Sequence, residues 1–263
     1  MDDRPITEFD FSKCQIVENP YKSKWFADPF ILEADENHIE LLVEEFDSNV
    51  RRGRIARIDI SLSKNIITDC QIVLDLPTHL SFPAIYRENG KILVAPENSA
   101  SGAFYIYEYD REKDKLVNQK LLHPEPLTDA IIDQKDGKYR MFATCLPTPN
   151  GNCLNEYESD SLMGPYTKKT QFICEGNTAR MAGYMIHEKG KTLRPAQDCT
   201  HGYGEAVLLF EKENVIKRIT PTCIKYSGLH TINTYNGYGI IDLKKYDYYF
   251  FVKLLKSLKK LNK

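Results

Sequence analysis

A five-fold internal echo constrains this chain more than any other feature of its sequence. Each copy carries a short signature, an apolar run, a turn and a second apolar run. The copies read ADPFILEADENHIELLVEEF from Ala27, SFPAIYRENGKILVAPEN from Ser81 and TDAIIDQKDGKYRMFATC from Thr128. Two more read MAGYMIHEKGKTLRPAQD from Met181 and HTINTYNGYGIIDL from His230. With Asp28, Phe82, Asp129, Ala182 and His230 as anchors, the steps are 54, 47, 53 and 48 residues. All-strand units of about 40–50 residues, repeated radially, are the blades of a propeller. The expected fold is therefore an all-β, five-bladed β-propeller over residues 1–243, with the anchors gathered around one central channel.

Turn chemistry supports strand pairs within each unit. Asn89-Gly90, Asp136-Gly137 and Lys189-Gly190 separate paired apolar runs, and Asn-Gly or Asp-Gly favours tight hairpin turns that match strand twist. Sixteen Tyr and twelve Phe suit strands. No run approaches the ~18 apolar residues of a membrane span, and the first residues, MDDRPITEFDF, lack the apolar core of a signal peptide. Seven scattered Cys without CxxC spacing fit reduced thiols, which points to a cytoplasmic protein with neither a disulfide framework nor a zinc site.

Residues 244–263 differ from the rest. Seven Lys stand against one acid, and Phe250, Phe251, Leu254, Leu255, Leu258 and Leu261 share one face at helical spacing. This predicts a C-terminal basic amphipathic helix. It would either cap a blade or lie at the inner face of an anionic membrane. Basic patches in the body are missing, so nucleic acid is not an expected partner. Gly-rich phosphate loops, HExxH and GxSxG are also missing.

The segment Trp25 to Phe30, followed by Glu44-Glu45, resembles the first blade of the arabinanase, levansucrase and invertase propellers, which include the family 43 glycoside hydrolases. Further motifs are Ser81-Phe82-Pro83, Pro96-Glu97, Asn177 to Gly183, Arg194 to Asp198 with Tyr203-Gly204, and Gly228 to Thr231. In order and spacing they are similar to the N-terminal propeller domain of plant glucosamine inositolphosphorylceramide transferase and to related bacterial surface-glycan proteins. The resemblance implies a carbohydrate-active protein, with Asp28 as base and Asp129 as the carboxylate that tunes the acid. Where those hydrolases carry a general-acid Glu, this chain reads Asn177 to Gly183 without a carboxylate. Glu97, and one of Glu44 and Glu45, are the acids that stand closest to taking its place, since neighbours on a strand point to opposite faces.

The expected catalytic residues are thus Asp28, Asp129 and Glu97. Arg180 and His230 are expected to hold an anionic group of a sugar nucleotide or lipid-linked sugar, because guanidinium suits phosphate. Arg194, Gln197, Asp198 and Tyr203 would read sugar hydroxyls and stack on a sugar face. No cofactor is implied, although the resemblance allows a Ca²⁺ ion near His230. Glycosyl transfer in the assembly of surface polysaccharide or glycolipid is the leading expectation. Hydrolysis of the family 43 type and a non-catalytic glycan- or partner-binding module are its alternatives.

Overall fold

A computed structural model of the protein describes residues 6–223 and 225–245. Blade one is an antiparallel sheet of β1 (Lys24–Ala34), β2 (His38–Asp47), β3 (Gly53–Ser61) and β4 (Ile66–Leu74), hydrogen-bonded in that order. Blade two repeats the order with β5 (Ser81–Glu88), β6 (Lys91–Glu97), β7 (Phe104–Asp110) and β8 (Lys115–His123). Blade three has β9 (Leu127–Lys135), β10 (Lys138–Cys145), β11 (Cys153–Ser159) and β12 (Thr167–Ile173). Blade four has β13 (Ile186–Glu188), β14 (Lys191–Asp198), β15 (Ala206–Glu211) and β16 (Asn214–Ile219).

The expectation of five blades is corrected here: the described residues form four four-stranded blades, and the fifth echo makes only ribbons. β17 (Tyr226–Gly228) pairs with β20 (Lys244–Lys245), and β18 (Ile232–Tyr235) with β19 (Tyr238–Ile241). The hairpin stops after Ile241 because Asp242 leaves the ladder; its Oδ1 accepts the N–H groups of His230 and Thr231 at 2.9 and 3.0 Å. The helix expected over 244–263 does not begin where the sequence placed it, since Lys244 and Lys245 are extended in β20; residues 246–263 lie outside the described residues. No described helix is long and apolar enough to cross a membrane.

Two-residue turns recur where the sequence placed them. Asn89-Gly90, Asp136-Gly137, Lys189-Gly190 and Asn236-Gly237 all have positive φ at both positions, the twist-matched hairpin geometry. Each joins the first two strands of its unit.

The channel is filled below the anchors. Tyr184, from the stretch before β13, donates its hydroxyl to Ile85 O of blade two and accepts from Ile85 N at 2.6 Å. Its ring meets Phe30 and Tyr86 edge-on, at 5.2 and 6.2 Å. Ile132 N of blade three donates to Tyr86 Oη at 2.9 Å. Four blades thus share one aromatic plug, continuous with a core that includes Phe82, Ala130 and Met181.

Candidate active site

Three of the innermost strands bend at the anchor. In β1 the pairing shifts between Ala27 and Phe30, in β5 between Ser81 and Ala84, and in β9 between Thr128 and Ile131. At each shift one residue takes a left-handed backbone: Asp28 (φ 50°), Phe82 (φ 43°) and Asp129 (φ 46°). A bulge re-aims the side chain at that point. Asp tolerates positive φ better than most residues, whereas an aromatic there is held by its surroundings. The repeat therefore builds three equal bends, and two of them present a carboxylate.

Asp28 is 3% exposed. Its Oδ1 accepts Thr231 Oγ1 at 2.7 Å, and its Oδ2 accepts Phe82 N at 3.2 Å. His230 lies between two acids, with Nδ1 at 2.5 Å from Asp242 Oδ2 and Nε2 at 3.5 Å from Asp28 Oδ1. Burial disfavours the imidazolium, but Asp242 and Asp28 outweigh it and carry its pKa up to about 9. For Asp242, burial acts upward and is outweighed by His230, so the carboxyl is held below its ordinary range. Asp28 is raised, chiefly by burial, with His230 opposing.

The second centre is Asp129, 1% exposed. Arg180 grips it with Nε at 2.6 Å and Nη2 at 3.1 Å, and Gln197 Nε2 adds a third contact at 2.7 Å. The remaining guanidinium nitrogen, Nη1, donates to Asn150 Oδ1 at 2.6 Å. Arg180 also lies against the Tyr203 ring, which in turn meets His230 edge-on. Burial raises Asp129 and is opposed by Arg180.

The carboxyl that sequence could not choose is Glu44. Paired with Ala27 across the bend, it stands beside Asp28, while Glu45 faces the other way into Lys24 and Arg54. Glu44 Oε1 is buried without an aligned hydrogen bond. Burial, then the nearby Asp28 charge, push this carboxyl well above the usual range. Glu97 holds the matching place in blade two, opposite Ser81. Its oxygens are engaged by Ser99 N at 2.9 Å and Ser81 Oγ at 3.3 Å.

Structure thus brings together Asp28, Asp129, Arg180, Gln197, Tyr203 and His230, with Glu97 at the edge. Arg194 and Asp198 are used elsewhere, within blade four. The Arg194 guanidinium rests on Phe210 and donates to Thr178 O at 3.1 Å. Asp198 pairs with Arg218 and accepts Thr200 N at 3.0 Å. Arg180 is held by Asp129 and Asn150, and all three of its guanidinium nitrogens already donate within the protein. Glu44, His79, Asn150, Thr231 and Asp242 complete the site. For Asp242 the signal was the IIDL that ends the fifth echo, an acid directly after an apolar strand.

Asp28, His230 and Asp242 offer ligand atoms within 4.8 Å of one another. They do not suit Ca²⁺, which takes six to eight oxygens. Both Asp242 oxygens already accept N–H groups, and His230 itself supplies the positive charge between the two acids.

The family model for glucosamine inositolphosphorylceramide transferase 1, N-terminal, matches residues 4–230. The chain belongs to that family. Relatives named glucosamine inositolphosphorylceramide transferase 1 include one from Oryza sativa subsp. indica, 27% identical over 209 residues, and one from Arabidopsis thaliana, 25% identical over 225 residues. The matches cover 76% and 81% of this chain but 28% and 29% of those proteins, so the chain spans less than a third of their length. Among solved structures, an α-L-arabinofuranosidase catalytic domain from Coprinopsis cinerea aligns at a TM-score of 0.60 and 6% identity, over 79% of this chain and 76% of that one. An exo-β-1,3-galactanase from Phanerochaete chrysosporium, solved with galactose, aligns at 0.51 and 12% identity, over 66% and 42%. At these identities the likeness is one of fold.

Proposed function

We propose that this propeller acts on carbohydrate at its channel mouth, with Glu44 as proton donor and Asp28 as base in a glycosyl transfer. One observation carries the reading: Asp28, Glu44, Glu97 and Asp129 are each less than 10% exposed, and Arg180, His230 and His79 stand against three of them. Buried carboxyls are rare unless paired, and two with different environments divide into acid and base. Glu44, kept protonated by burial and by Asp28, would protonate the oxygen leaving the anomeric carbon. Asp28, held by Thr231, Phe82 N–H and His230, would take the proton from the incoming acceptor hydroxyl. The old C–O bond breaks as the new one forms. Names of the family's members and the glycosidase fold of the structural neighbours support a sugar substrate.

Acids outnumber bases here and Arg180 is already paired, so the geometry favours a neutral sugar ring over an anionic group at this spot. The mutual saturation of Asp129 and Arg180 favours a second reading, a glycan-binding module without turnover. Calorimetry against neutral oligosaccharides, sugar phosphates and sugar nucleotides, on wild type and Asp28→Asn, separates the two. Binding retained with turnover lost in the variant supports transfer. Binding without turnover in either protein supports the module, and no binding to any member of the panel removes both.

A further inference from the structure

His79 lies in the link between blades one and two, and it reaches the site from solvent. Its side chain is 45% exposed, yet Nε2 stands 3.3 Å from Glu44 Oε1, whose side chain is 7% exposed. Nδ1 accepts the Gly53 N–H at 2.9 Å. A ring nitrogen that accepts a backbone N–H carries no proton, so the neutral ring must carry its single proton on Nε2, the nitrogen that faces Glu44.

Gly53 makes this approach feasible. A Cβ there would lie 2.3 Å from Leu80 O, 2.7 Å from Glu44 Oε1 and 2.8 Å from His79 Cε1. Leu80 N donates back to Gly53 O at 3.1 Å, which fixes the link that bears His79. The bare glycine, the imidazole and the buried acid therefore form one unit that no side chain at residue 53 would permit.

We propose that His79 is the positioning residue of Glu44: its Nε2–H, fixed by Gly53, occupies Oε1 and leaves the acidic proton to Oε2. The proposal deepens the assignment of Glu44 as proton donor and rests on it for its purpose. At rest the contact is long and not aligned as a hydrogen bond, as catalytic contacts often are before substrate binds. Other charges face the pair. Asp28 of β1, His230, Asp129 of β9 and Glu97 of β6 act on Glu44, and Glu97, Arg180 and Asp129 act on His79. At rest Glu44 Oε1 has an aligned donor from none of these groups, and His79 Nε2 is the ring nitrogen that stands within 3.3 Å of it.

The test reads Glu44 by carboxyl NMR of the full chain, with the signal assigned by its loss in Glu44→Gln. An N–H donor favours the ionised carboxyl, so His79→Ala is expected to raise the Glu44 midpoint by about one pH unit. His79→Gln keeps a donor and is expected to restore most of that shift. An unchanged midpoint in His79→Ala, or one that His79→Gln fails to restore, overturns the proposal. Nitrogen NMR of the wild-type ring needs no variant: the neutral Nε2–H tautomer is expected at neutral pH, and either the Nδ1–H tautomer or an imidazolium overturns it. Neither readout involves sugar binding or turnover, so failure here and failure of the proposed transfer are told apart.

Discussion

His230 gives the residue scale its sharpest consequence. Its pKa rises on folding from an ordinary 6.5 to about 9, so the folded protein holds the proton more tightly than the unfolded chain. The stability this contributes is complete below about pH 6.5 and is lost as pH rises through about 9. Thermal melts across that window should fall for wild type, and His230→Gln should be less stable at pH 6 and flatter in slope. Asp129 and Arg180 give a second test. Removing one partner of a buried pair leaves an uncompensated charge, at a cost of about 3–5 kcal/mol. Asp129→Asn should lose about that much in urea unfolding, and adding Arg180→Met should recover part of it. At this scale the sequence was legible where an echo marked a residue: Asp28, Asp129 and His230 converge as their register implied. Arg194 and Asp198 are engaged within blade four instead, because residues along β14 alternate between the site and the blade's own packing. Gln197 faces Asp129, whereas Arg194 rests on Phe210 and Asp198 pairs with Arg218. His79 carries no sequence signal; it is a lone His in a link, and only Gly53 reveals its purpose.

Elements depend on a few backbone positions. Asn-Gly and Asp-Gly turns were readable because left-handed φ at two successive residues favours Asn, Asp and Gly, and Lys189-Gly190 was marked by its glycine. The bends at Asp28, Phe82 and Asp129 were not, since nothing in Phe82 announces positive φ. Blade four departs from the pattern, and Gly183 explains how. With φ 141°, it lets the stretch before β13 lie against β18; a Cβ there would meet Ile232 O at 2.1 Å and Asn233 Oδ1 at 2.7 Å. Ile232 N donates to Ala182 O at 2.7 Å across the same contact. Gly183→Ala should therefore destabilise by well over the ~1 kcal/mol of an ordinary helix or strand glycine replacement, read from the urea midpoint. Tyr184, next in sequence, plugs the channel. Tyr184→Ala should cost about 3–5 kcal/mol, as for other large-to-small aromatic changes in cores.

For the whole molecule, the period announced a closed ring and the ring closes by an unexpected route. The fifth unit contributes ribbons, and the N-terminal segment spans the region between blades four and one. Lys217 of β16 donates to Thr7 O and Phe9 O, both at 2.7 Å. Ile6, Phe9, Ile241 and Leu243 all pack against the cluster that holds Val207, Leu209 and Leu229, and Glu18 bridges to Ile66 of β4. Sequence periodicity reads only what repeats, so this non-repeating strap was invisible to it. A chain that starts at Pro20 should melt at a lower temperature while keeping its β-sheet circular dichroism. The site sits where blades one to four and the fifth unit meet, which makes its chemistry a property of the closed ring.

The most direct measurement is transfer from two glycosyl donors, one with a sugar leaving group and one with an acidic phenol, by wild type, Glu44→Gln and Asp28→Asn. A leaving group that departs without a proton no longer needs the acid. Glu44→Gln should lose about 10²–10⁴-fold with the sugar leaving group and little with the phenol, while Asp28→Asn should lose on both. Equal losses by Glu44→Gln on the two donors, or transfer that survives both substitutions, would contradict the assignment of Glu44 and Asp28.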